Sequence, residues 1–192
     1  MTALPDDGLR TMAQEHVAYE LEMLVWTAIT LYRDSAAGPG PALGLSQDAR
    51  NAVLESLLVH ARILDDFLLN RTGQDGDDVC AKHFGPWDES AALPAEMINK
   101  KRRFWTFMPS DSREQANKRV AHLTEKRLDD GKNKEVHYMA VAQAIATAFL
   151  EFLDQVAEYD RSRSVWFATA ASYAHGLIDI LAADPAGAPR NG

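Results

Sequence analysis

A single cysteine, Cys80, stands in 192 residues, so no disulfide can form within the chain, and its isolation agrees with a reducing compartment. There is no glycine-rich phosphate loop, no nucleophile elbow and no internal repeat, which removes three large function classes at once. No basic-plus-apolar start of the secretory kind is present. No uncharged run is longer than Val136–Leu150, which is shorter than the roughly 20 residues that cross a bilayer. These absences lead us to expect a cytoplasmic protein with no membrane partner. No segment alternates apolar and polar residues as a half-buried strand does, so the expected class is all-α. Positive charge is in deficit overall: 20 Lys and Arg against 28 Asp and Glu give −8, which argues against general coating of nucleic acid.

What is present is helical periodicity. Val17, Leu21, Leu24, Val25, Ala28 and Leu31 mark a helix over about 9–33, ended by Gly38-Pro39-Gly40-Pro41. Ser46 is the expected cap of a second helix, whose row Val53, Leu57, His60, Leu64 and Phe67 sends His60 inward. Residues 71–109 are the least regular. Asp111 and Glu114 have capping-box spacing and begin a third helix that ends near Asp129-Asp130-Gly131. Tyr138, Val141, Ile145, Phe149, Phe152 and Val156 mark a core helix over about 133–159. Trp166, Ala170, Tyr173, Leu177 and Ile180 mark a last one over about 164–181. With a short helix after Pro94 set aside, the expectation is an up-and-down bundle of about five main helices. It forms one domain over 1–182, with a flexible tail over 183–192.

The charge is unevenly spread. Residues 100–127 carry nine Lys and Arg against three acids, a local +6 in a chain of −8. A basic island in an acidic protein is a candidate contact for phosphate. Within it, Gln115, Lys118, Arg119, His122 and Lys126 share one side of the third helix, opposite Ala116, Val120 and Leu123. Neighbouring cations lower a histidine's pKa, and a near-neutral imidazole beside cations suits acid–base work on a phosphodiester. Upstream, Lys100-Lys101-Arg102-Arg103 adjoins Phe104-Trp105, a pattern that grips phosphates and stacks bases, or else packs its aromatics inward with the cations solvated. Arg62 and Asp66 form an i,i+4 pair on the second helix, read either as a surface ion pair or as a further wall of the same site.

The run Asn117-Lys118-Arg119-Val120-Ala121-His122 resembles the Arg/Asn-x-x-x-x-His signature of HEPN-type proteins. The segment Leu58-Val59-His60-Ala61-Arg62-Ile63-Leu64-Asp65-Asp66-Phe67-Leu68, followed by Asp77-Asp78-Val79 and Phe84, is similar to an uncharacterised bacterial family of the same helical type. HEPN proteins are helical bundles, and many are metal-independent endoribonucleases of toxin–antitoxin and defence systems. The resemblance implies His122 as acid–base, with a neighbouring cation steadying the phosphate. Asn117 stands where active members usually have Arg, which leaves Arg119 and Arg127 to supply that charge. Lys118, Lys126, Arg62, Arg102 and Arg103 are then the phosphate contacts. A homodimer and an antitoxin partner are implied as well, and no cofactor.

Two other readings stand beside this one. The first is a non-catalytic dimerisation or partner-binding module, with the last helix as interface and the basic island as plain surface. The second is a metal-binding bundle using His16, Glu20, His60 and His137. His16 and Glu20 have the i,i+4 spacing of helix-borne ligands but make only half a site.

Overall fold

The computed structural model describes residues 5–35, 43–68, 79–85 and 138–183. Among these residues the chain is helical, with no strand. The elements are α1 (Asp6–Thr11), a π-helical stretch (Met12–Val17), α2 (Ala18–Asp34), α3 (Gln47–Leu68), a 3-10 turn (Ala81–Phe84), α4 (Tyr138–Tyr159), α5 (Arg161–Ser164), a second 3-10 turn (Val165–Phe167) and α6 (Ala168–Ala183). Each expected helix that falls in the described part is there. The third expected helix, over 111–129, lies outside the described residues, as do the Gly38–Pro41 breaker, the Pro94 segment and the tail from 184.

α1, the π stretch and α2 make one continuous rod, and one buried row runs through the change of winding. Leu9, Ala13, Val17 and Leu21 are all buried, and they repeat every four residues. In an α-helix of 3.6 residues per turn such a row drifts around the axis. A π segment holds more residues per turn, so the row stays over the core. From Leu21 onward the spacing mixes threes and fours (Leu24, Val25, Ala28, Leu31), and the α-helix resumes.

α3 starts where expected. The Ser46 hydroxyl accepts from the Ala49 N–H at 3.2 Å, satisfying one of the free donors of the first turn. The closure between α2 and α3 rests on Asp34, whose side chain is 1% exposed. Its carboxylate accepts from the Leu45 N–H at 2.9 Å and from Arg50 Nε and Nη2 at 2.8 and 2.6 Å. The Leu45 N–H and then the Arg50 guanidinium hold the Asp34 carboxyl below the usual aspartate range. A carboxylate is unfavourable at a helix C-terminus, so these bonds explain its presence there.

α2 and α4 each pack on the other and on both α3 and α6, so they form the middle pair and α3 and α6 flank them. Val141, Ile145, Phe149, Phe152 and Val156 of α4 are buried, with Tyr138 packed partly against the same core. At one end five phenylalanines meet. Phe84 lies 4.9 Å from Phe167, Phe167 lies 5.4 Å from Phe152, and Phe67 lies 5.6 Å from Phe152, all edge-on. Such edge contacts add to the burial itself. Phe149 completes the group at 5.9 Å from Phe167.

Residues 79–85 belong to that core, although the sequence marks them only as part of an irregular region. Cys80, Ala81 and Phe84 have no exposed surface. The turn is locked by His83, whose Nδ1 accepts from the Cys80 N–H at 3.0 Å. His83 is thereby a capping residue. Cys80 is a buried thiol.

Candidate functional site

Of the residues that the sequence points to, Arg62 lies in the described part. His122, Asn117, Arg119, Arg127, Lys118, Lys126, Arg102 and Arg103 lie outside the described residues, as does His137. Arg62 occupies the outer face of α3, with its side chain 44% exposed and its Nε 3.6 Å from Asp66 Oδ2. That is a loose i,i+4 pair of the kind that contributes about 0.3–0.5 kcal/mol. The guanidinium is open to solvent and to ligand alike.

Two residues to the N-terminal side, the same helix carries different chemistry. His60 is buried as its row predicts, at 8% exposure. Its Nδ1 lies 2.6 Å from Glu20 Oε2 on α2, and the two side chains are 10% and 18% exposed. The ring of Tyr19 meets the imidazole edge-on, with centroids 5.7 Å apart and planes at 80°. An ionised carboxylate only accepts, so with Glu20 charged the hydrogen of this bond belongs to His60 Nδ1. This is the arrangement by which a carboxylate orients an imidazole, whether for proton transfer or for metal binding.

The metal reading needs more ligands than the pair supplies. His16 is exposed on the π stretch. Among the described residues no group of three or more His, Cys, Asp or Glu is placed to hold an ion. Glu20 and His60 thus come together out of the four residues that reading named. What the pair does in the fold is join α2 to α3 across their seam through two side chains that are costly to bury singly. The sequence showed both residues, but only three-dimensional packing pairs positions 40 residues apart.

The end of the bundle where the phenylalanines meet carries a second polar cluster. Arg10 and Arg163 stand over the Trp166 ring at 5.4 and 5.8 Å. Arg163 also pairs with Asp6 at 2.8 Å and approaches Asp160 at 3.6 Å. These contacts tie the start of the first rod to the start of the last one. Asp160 caps α5 by accepting from the Ser162 hydroxyl and N–H, which holds its carboxyl below the usual range. On the α2–α6 seam, burial pushes the Tyr173 hydroxyl above its ordinary pKa, helped by the charge of Glu22 and a hydrogen bond to it.

No family model, curated protein or solved structure matches the chain.

Proposed function

We propose that this chain is a HEPN-like helical bundle that binds RNA through the basic side of residues 100–127 and cleaves it without a metal ion, in the manner of toxin or defence nucleases. The observation that carries the reading is the +6 segment that contains His122, in a chain of −8. The all-α architecture of the described residues supports the reading, because a HEPN-like chain requires that fold class. In this account Lys118, Arg119 and Lys126, with Arg62, Arg102 and Arg103, hold phosphates. His122 moves the proton. RNA carries its own nucleophile, the ribose 2′-hydroxyl. His122 takes that proton as the 2′-oxygen bonds to the adjacent phosphorus; the P–O5′ bond breaks, the proton passes from His122 to the departing 5′-oxygen, and a 2′,3′-cyclic phosphate remains, with Asn117 and Arg119 or Arg127 assigned to steady the charge on the phosphate.

Binding to a short single-stranded RNA, titrated against salt, tests the interface. Phosphate contacts release counterions, so affinity falls steeply as salt rises. Replacing Lys118, Arg119 and Lys126 together by Ala is expected to weaken binding and to flatten the logarithmic salt slope by about one unit per lost contact. Binding that ignores salt, or a triple variant that binds like the wild type, contradicts the assignment.

A further inference from the structure

We draw no further inference here: the strongest candidate, the surface patch that Tyr19 and Trp26 form two turns apart on the outer face of α2, is an exposed apolar face, and nothing among the described residues shows what covers it.

Discussion

His60 and His122 are the two histidines whose surroundings the sequence separates most clearly, one on an apolar row and the other among cations. His60 is indeed buried, and it holds Glu20 across a helix seam. Removing it leaves a half-buried carboxylate without its donor. His60→Ala is therefore expected to destabilise the fold by about 1–3 kcal/mol. His122→Ala should leave the melting temperature nearly unchanged, because the sequence sets it among cations and off the apolar row. Thermal melts of the two variants check both statements, and the reverse order would mean that the acid–base role has been given to the wrong histidine. The partner of His60 could not be read from the chain. Glu20 was visible one turn after His16, and that local spacing suggested a local pair. The packed structure prefers a contact 40 residues away, since burial, not proximity in sequence, sets the need for a partner.

At the scale of elements, the described helices follow the spacing of their apolar residues closely. The row from Val17 to Leu31, the row from Leu57 to Phe67 and the row from Val141 to Val156 are all buried. The Ser46 cap is formed by the hydroxyl that the sequence offered. Two features escaped that logic. The π stretch over Met12–Val17 reads in sequence as ordinary helix, because a four-residue repeat over so short a span fits both windings. The insertion of residues 79–85 escaped because a seven-residue segment has too few positions to show a period. Its signal was Phe84 beside Cys80 and Ala81, an apolar cluster within a polar stretch. Phe84 is fully buried among four other phenylalanines drawn from three separate elements. Phe84→Ala should cost about 3–5 kcal/mol by opening a cavity at that junction. Chemical denaturation measures it, and a loss under 1 kcal/mol would mean that the turn does not hold the end of the bundle together.

For the whole molecule, the account divides the labour between an acidic helical body and a basic segment. The body is built on the middle pair α2 and α4, closed by the Asp34–Arg50 and Glu20–His60 contacts. On α5, the second 3-10 turn and α6 it leaves Val165 and Ile180 exposed. The fold class and the helices of the described part were legible because burial imposes a period on sequence. The candidate site shows in the sequence only as a concentration of charge and a short motif, because a site is defined by distances between residues that need no regular spacing. Of the proposed phosphate contacts, Arg62 is placed, exposed and within reach of solvent on α3. The central claim is that His122 transfers a proton in metal-independent cleavage of RNA. Its most direct test is single-stranded RNA incubated with the protein in excess EDTA, beside His122→Ala and Asn117→Arg. The account predicts cleavage by the wild type, none by His122→Ala although most of its RNA binding remains, and faster cleavage by Asn117→Arg, which restores the arginine usual in active HEPN nucleases. Intact RNA with both the wild type and Asn117→Arg, or undiminished cleavage by His122→Ala, would contradict it.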